Sequence, residues 1–473
     1  MEAEIRYSLN ATSRDIKKEY TSLRNRLQSI ILDNKYMCDE VIPSFPDYPI
    51  IPNERCGLWY CRPGQYEQTS YFKSTDGHTA IWDFSVRRLN FHLLPTLSKH
   101  NGLIIVDSTR RGKKMPDALS KTIPIWCAVL NNLILEFTGN QQQVLFCPPD
   151  IVSPTEYSSI VSKLPHLVEK LKKIDQITGE KLFAMFGGRT LRPFWVYPGS
   201  SLLNVSKDIF TGEMTGAKWS PPENVIPLIL YTASYQCQDG VDNKNGFTYV
   251  QGAADDHELW AGGLTSNLLW KHFNVLGDPT KSESELASYC QNLLTSEADN
   301  LPVASNLKSL FKIDVVNSSL HLAAIRNNTT ISKEVAAELE KNYSLTIVCS
   351  ETVAMGANVE CKSIKIYPMN SDSKKGSRTL RITLIEIDKL ISDHLKNKTP
   401  IMICCNTGRD ISVGVVLTIL CRHFDLDWLP AQQISINKTV VRKHLAKLIS
   451  HMDGRNLNPS RATLNSINSF LMQ

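Results

Sequence analysis

Pro400-Ile-Met-Ile-Cys-Cys-Asn-Thr-Gly-Arg-Asp-Ile-Ser-Val-Gly-Val-Val-Leu-Thr-Ile-Leu-Cys421 reads as a buried strand, a tight polar loop and a buried helix. Ile401–Cys405 is a short apolar run opened by a proline, the pattern of a strand covered on both faces. Ile411–Cys421 is apolar almost all round, as in a helix packed on a sheet. Between them lie Asn406, Thr407, Gly408, Arg409 and Asp410. Gly408 lets the chain turn sharply, so that successive N–H groups converge at the helix N-terminus. Such a corner favours an anion, phosphate above all. An ordinary strand–turn–helix corner with no ligand is the alternative reading.

The spacing resembles the phosphate loop of dual-specificity phosphatases: Cys, two residues, Gly, two residues, Arg, then Ser or Thr. With Cys405 on the nucleophile position, Gly408 falls on the loop glycine and Ser412 on the hydroxyl. Ile411 then stands where the phosphate-gripping Arg belongs, and Cys404 replaces the usual His. A guanidinium fork stabilises a transferring phosphoryl group, and isoleucine has no substitute chemistry. Cys404 to Ser412 is therefore expected to hold a phosphate without hydrolysing it.

At 473 residues the chain has room for two or three domains with sizeable cores. With 42% hydrophobic and 21% charged residues it is globular rather than disordered. A net charge of +5 and a pI of about 8.5 permit a nucleic-acid or phosphate-rich partner without demanding one. Met1-Glu-Ala-Glu-Ile-Arg6 has no apolar signal core, so secretion is not expected. The densest apolar run, Ile123–Phe137, contains Asn131, Asn132 and Glu136 and is too short to span a bilayer. The 12 cysteines include no CxxC pair, which points to reduced thiols in a cytosolic or nuclear protein rather than zinc.

Upstream, Thr12 and Ser13 can cap a helix reaching Asp33, with Arg14, Lys17, Lys18, Arg24 and Arg26 on its outer face. That face reads as solvated, with an RNA contact as the alternative. From Asp39 to Gly64, prolines and turn residues predict a packed loop. Tyr71–His92 has hairpin character around Asp76-Gly77, crowded by His78, Asp83, Arg87 and Arg88. Leu103–Val106 predicts a buried strand that delivers Asp107 and then Ser108, Thr109, Arg110, Arg111, Gly112 and Lys113. A carboxylate followed by hydroxyls and a basic loop at a strand end fits magnesium plus polyphosphate, and a plain basic turn is the alternative. A helix Ile123–Phe137, a strand Val144–Cys147 and a helix Pro154–Lys173 follow. Gly187–Pro198 sets Arg189 and Arg192 among aromatics, which suits nucleotide stacking.

Tyr249–Trp260 is the third dense stretch. Asp255, Asp256, His257 and Glu258 crowd three carboxylates and an imidazole together. Carboxylates that close require a cation or a basic group among them, and oxygen donors favour magnesium; an acidic helix cap is the alternative. A polar break near residue 300 divides the chain. Strands Leu310–Val316, Ser344–Val348 and Ile364–Tyr367, a helix Thr383–Lys396 and the opening strand and helix then predict an α/β sheet with a phosphate loop at its C-terminal edge. Lys438–His451 is a basic helix, followed by Asn458-Pro-Ser-Arg461.

Taken together, Asp107-Ser-Thr-Arg-Arg-Gly-Lys113, Met115–Lys121, Gln251–Trp260, Cys404–Ser412 and Asn458–Arg461 make the chain similar, end to end, to the initiator-tRNA phosphoribosyltransferase family, the tRNA 2′-O-ribosylphosphate transferases. The resemblance implies two domains: a family-specific N-terminal α+β domain, 1–300, and a dual-specificity-phosphatase-like α/β domain, 301–473. It implies a cytoplasmic pentosyltransferase that moves the 5-phosphoribosyl group of phosphoribosyl diphosphate onto the 2′-hydroxyl of a T-stem adenosine in initiator methionine tRNA. No membrane and no obligate protein partner is expected. On this reading Cys405–Ser412 cradles the 5-phosphate, while Arg110, Arg111, Lys113 and Lys121 hold the diphosphate. Asp107 with Asp255 or Asp256 would bind Mg2+. The base that accepts the 2′-hydroxyl proton stays open among Asp255, Asp256, Glu258 and His78, with His257 less apt. The rival readings are a weak phosphatase using Cys405 and a non-catalytic tRNA-binding protein.

Overall fold

The computed structural model describes residues 20–473 except 55, 74–80, 141–143, 206–207, 209, 214, 216–218, 245, 300–306, 372, 396–398, 432–433 and 453–454. By its internal contacts the chain forms two units. One runs to Thr295. The other comprises Ser296–Gln473 together with two short earlier segments, Ser85–His92 and Lys173–Gln176.

The N-terminal unit is built on a four-stranded sheet, β1 (Ile50–Pro52), β2 (Leu103–Asp107), β3 (Thr190–Val196) and β4 (Val225–Thr232), in the order β1-β2-β4-β3. All its pairings are parallel. The two inner strands are continuous apolar runs, and β2 is buried along its whole length. Pro193 lacks an N–H to give to a ladder, and it lies in the edge strand β3. Register sets Asp107 beside Thr232, so the polar loops after β2 and β4 leave the same sheet edge. An antiparallel hairpin, β5 (Val241–Lys244) and β6 (Phe247–Val250), follows.

The first helix described is Leu23–Tyr36, capped by Ser22, whose Oγ accepts from Asn25 N. The proposed caps Thr12 and Ser13 lie outside the described residues. The Glu283 carboxylate accepts from the otherwise unpaired Leu23 and Arg24 N–H groups at 2.9 and 2.7 Å. Helix Ile123–Phe137 carries Pro124 just after the π-helical turn Ala118–Thr122 that leads into it. With the preceding turn it makes a 20-residue helical stretch, Ala118–Phe137, apolar and long enough to cross a membrane by composition alone; 83% of its most apolar window is buried in the protein. It is a core helix.

Three local expectations fail here. Asp39–Gly64 contains β1 and a 3-10 turn at Gly57–Tyr60, because Ile50 and Ile51 pair beside Ile104 and Ile105. The described residues of Tyr71–His92 form no hairpin ladder, and Asp76, Gly77 and His78 are outside them. Val144–Cys147 belongs to no strand. In each case pairing depended on which neighbour the sheet supplied rather than on local strand propensity.

The C-terminal unit centres on a five-stranded sheet in the order β12-β10-β13-β8-β7. Its strands are β7 (Phe311–Asn317), β8 (Leu320–Ile325), β10 (Leu345–Cys349), β12 (Ile364–Tyr367) and β13 (Ile401–Cys405). Only β7 is antiparallel. A two-stranded parallel ladder, β9 (Thr329–Ile331) with β11 (Val353–Met355), stands apart. The central strand β13 is completely buried, as is nearly all of the helix Ile411–His423 that follows it. The expected helix at Thr383–Lys396 begins earlier, at Lys374, behind a Ser373 cap. Lys438–His451 is helical throughout.

Candidate active site

At the edge of the N-terminal sheet, Asp107 ends β2 fully buried. Its carboxylate accepts from Asn53 Nδ2 (2.8 Å), Cys56 Sγ (2.9 Å) and Ser108 N (2.9 Å). These bonds anchor the start of the loop. Next, Ser108 Oγ donates to Ser234 Oγ (2.9 Å), which donates to Thr109 O (3.0 Å), tying the loops after β2 and β4 together.

Gln251 closes the other side. Its Oε1 accepts from Gly112 N (2.9 Å) and Cys237 N (3.2 Å), and its Nε2 donates to Lys113 O (2.6 Å). Gly252 adopts φ +63°, and a Cβ there would lie 2.4 Å from Thr109 O, so only glycine allows the two loops this approach. Arg111 and Asp256 both sit at positive φ, 59° and 52°. Non-glycine residues adopt that region at a cost, and such strain gathers at functional loops.

The consequence is a fork. Arg110 Nε pairs with Asp255 Oδ2 at 3.0 Å, and its Nη1 pairs with Asp256. The crowded carboxylates of the third stretch thus find their cation in the second stretch. Asp255 is the more enclosed, with 14% of its side chain exposed against 45% for Asp256. Behind them Arg26 donates to Ala253 O (2.7 Å) and lies over the Trp260 ring at 5.2 Å. Burial, reinforced by Arg110, lowers the Arg26 pKa against the opposing pull of Tyr60, Asp256 and Asp255. Trp260 Nε1 donates to Asp255 O (3.1 Å), and Trp59 packs on both Trp260 and His257. Glu258 is exposed, 4.0 Å from His257 Nε2.

This geometry redraws the expected site. Arg24 and Arg26 do not form a solvated face: Arg24 donates to Pro279 O and Lys281 O, and Arg26 backs the fork. Lys121 is committed to Glu156 (2.9 Å) and Asp117 (3.6 Å). The magnesium set Asp107, Asp255 and Asp256 is not assembled: Asp107 serves the loop, the other two face a guanidinium, and among the described residues no three His, Cys, Asp or Glu side chains gather for a metal. Arg192 stacks over Phe146 at 4.2 Å, and Trp195 Nε1 is spent on Leu119 O, so that stretch is strand and packing. Sequence reading missed Arg26, because helical periodicity cannot tell a solvated arginine from one facing a neighbouring loop.

In the C-terminal unit, the loop after β13 places Cys405 Sγ 3.0 Å from Ser412 Oγ and 3.7 Å from Thr407 Oγ1. Burial raises the Cys405 pKa, but hydrogen bonds from Ser412 and Thr407, with the Ser371 hydroxyl nearby, outweigh it and hold the thiol below its usual range. Cys404 points elsewhere: its thiol donates to Ile347 O, and burial pushes its pKa well up. Asn406 Nδ2 donates to Thr352 Oγ1 (3.1 Å). Gly408 has φ +64°. Asp410 is fully buried and braces the loop, its Oδ1 accepting from Ser460 N (2.8 Å) and Thr463 Oγ1 (2.7 Å). Arg409 O accepts from Asn458 N (3.1 Å). Ile411 is fully buried. All 12 cysteines are free thiols.

Each unit thus sets polar loops at the C-terminal ends of parallel strands, which defines an α/β protein of two units. A family model described as the Rit1 N-terminal domain matches residues 16–295, and one described as the Rit1 DUSP-like domain matches residues 363–471. The tRNA A64-2′-O-ribosylphosphate transferase of Saccharomyces cerevisiae is 50% identical, covering 100% of this chain and 96% of its own length. An uncharacterised protein of Schizosaccharomyces pombe is 35% identical over 95% of this chain and 94% of its own. The chain belongs to the tRNA ribosylphosphate transferase family, with a C-terminal domain like dual-specificity phosphatases. Among solved structures, PTPMT1 overlaps 34% of this chain and 94% of its own at 12% identity and a TM-score of 0.22. The tyrosine phosphatase OH1 of Orf virus overlaps 39% and 99% at 12% identity and a TM-score of 0.23.

Proposed function

We propose that the protein is a cytoplasmic pentosyltransferase that attaches the 5-phosphoribosyl group of phosphoribosyl diphosphate to the 2′-hydroxyl of a T-stem adenosine in initiator methionine tRNA. The added anion reserves that tRNA for initiation. The observation that carries this reading is the 50% identity, over the whole chain, to a relative named as a tRNA A64-2′-O-ribosylphosphate transferase.

In the reaction the C1–oxygen bond to diphosphate breaks with its electron pair leaving on the diphosphate. The tRNA 2′-oxygen bonds C1 and its proton passes to a base. Most of the developing charge sits on the departing diphosphate, so cationic stabilisation there dominates catalysis. Arg110 is suited to that task, with the exposed Arg111 and Lys113 beside it in the loop. Asp255 and Asp256 flank Arg110, and the more enclosed Asp255 is the preferred base. Magnesium carried by the diphosphate would add positive charge to the departing group. The Cys405–Ser412 loop in the C-terminal unit holds a phosphate group. The phosphatase alternative is disfavoured, because the position that needs Arg carries the buried Ile411.

The test is to incubate the full chain with magnesium, phosphoribosyl diphosphate and initiator tRNA and to weigh the tRNA. A gain of one ribosyl phosphate is expected, and Arg110→Ala should slow transfer by about a hundredfold or more. An unchanged tRNA mass would reject the function, while normal transfer by the variant would reject only the site.

A further inference from the structure

The region least explained by the function is the connection Arg455–Ser460 between the last two helices. We propose that it is the clasp of the Cys405–Ser412 loop, and that Arg455 is a positioning residue that turns the loop's N–H groups toward a phosphate monoester dianion and supplies the positive charge missing at Ile411. This rests on reading that loop as a phosphate cradle.

Within a trans peptide, the C=O and the following N–H point in opposite directions. Arg455 Nη1 donates to Gly408 O at 3.4 Å, which turns the Arg409 N–H to the other face. Asn458 N donates to Arg409 O at 3.1 Å, which does the same for the Asp410 N–H. Two consecutive carbonyls are thus held by the clasp and the two following N–H groups point away from it, the Arg409 N–H toward Thr407 Oγ1 at 3.4 Å, a hydroxyl that an anion seated in this nest would displace. Asp410 completes the fastening through Ser460 N and Thr463 Oγ1. Arg88, in a segment that belongs to this unit, donates from Nε to Asn458 Oδ1 at 3.0 Å and fixes the clasp from outside.

Arg455 is itself 6% exposed. Its Nη2 donates to Lys312 O at 2.7 Å, and its Nε pairs with Asp314 Oδ2 at 2.5 Å. Burial lowers its pKa, and Asp314 and Cys405 oppose that. It also fits the loop closely: a Cβ on Gly408 would lie 2.0 Å from Nη1. With its fork committed to protein acceptors, Arg455 organises and charges the cradle but cannot grip the equatorial oxygens of a transferring phosphoryl group. The loop therefore holds a phosphate ester without cleaving it.

The experiment uses the full chain with tungstate, a tetrahedral oxyanion, as probe. Affinity is read by calorimetry and by the tungstate-induced rise in melting temperature. Gly408→Ala marks the loop's share and should lose most of the binding. Arg455→Met should weaken tungstate binding at least tenfold, Arg455→Lys should restore much of it, and the neutral Arg455→Gln should fall between. A merely structural Arg455 would lower the baseline melting temperature and leave tungstate affinity intact, and that result overturns the proposal. If Arg455→Met does not fold, equal affinities in the Lys and Gln variants overturn it instead. Tungstate binding that ignores Gly408→Ala would reject the cradle reading itself, and the clasp with it.

Discussion

Replacing Ile411 with Arg would restore the dual-specificity-phosphatase spacing, and from spacing alone it should tighten anion binding. The structure predicts a loss instead. Ile411 is fully buried at the start of a helix whose first eleven residues are all buried. Removing it forfeits about 1.5–3 kcal/mol of apolar burial. A guanidinium forced into that space without a carboxylate costs several kcal/mol more. The sum, about 5 kcal/mol, is a large part of the roughly 5–15 kcal/mol that holds an ordinary domain together. Hydrogen exchange reads this locally. Amides in 401–423 that exchange only by opening of the C-terminal unit should lose protection by about three to four orders of magnitude, at ~1.4 kcal/mol per tenfold. Unchanged protection with tighter tungstate binding would refute the reasoning, since it would mean that an arginine at 411 swings into the loop without disturbing the core.

Gly252→Ala should cut transfer more than tenfold, because its Cβ collides with Thr109 O, whereas Gly139→Ala, also at positive φ but with open space around it, should cost only about 1 kcal/mol of stability and no activity. Asp410→Ala removes the acceptor of Ser460 N and Thr463 Oγ1 and should cost about 2–3 kcal/mol in denaturant unfolding, with tungstate binding weakened in parallel. His444 is fully buried; desolvation and Lys447 lower its pKa to about 4 against the pull of Asp425, and Trp428 Nε1 donates to its Nδ1. The unfolded chain takes up this proton near pH 6.5 and the folded chain only near pH 4. Stability should therefore fall through that window as pH drops, by about 3 kcal/mol at most. His444→Gln should flatten that part of the pH–stability curve.

What the sequence determined by itself was anything encoded in local pattern. Continuous apolar runs marked β2 and β13 as fully buried parallel strands, and proline, glycine and polar clusters after them marked the loops. The five quoted motifs were enough to identify the family, because the order of residue types along a loop survives without knowledge of what the loop touches. Local pattern also placed the helices Ile123–Phe137 and Lys438–His451.

Only the tertiary structure decided the partners. That Arg110 answers Asp255 and Asp256, across about 145 positions, follows from Gln251 and Gly252, just after β6, packing onto the loop after β2. The same dependence set Asp107 against Cys56 and Lys121 against Glu156. It also set the Arg455 guanidinium against the Gly408 carbonyl of the loop after β13, while position 411 carries a buried isoleucine. Charge and hydrogen bonding act through space between side chains whose separation in the chain carries no period, so no local pattern announces them.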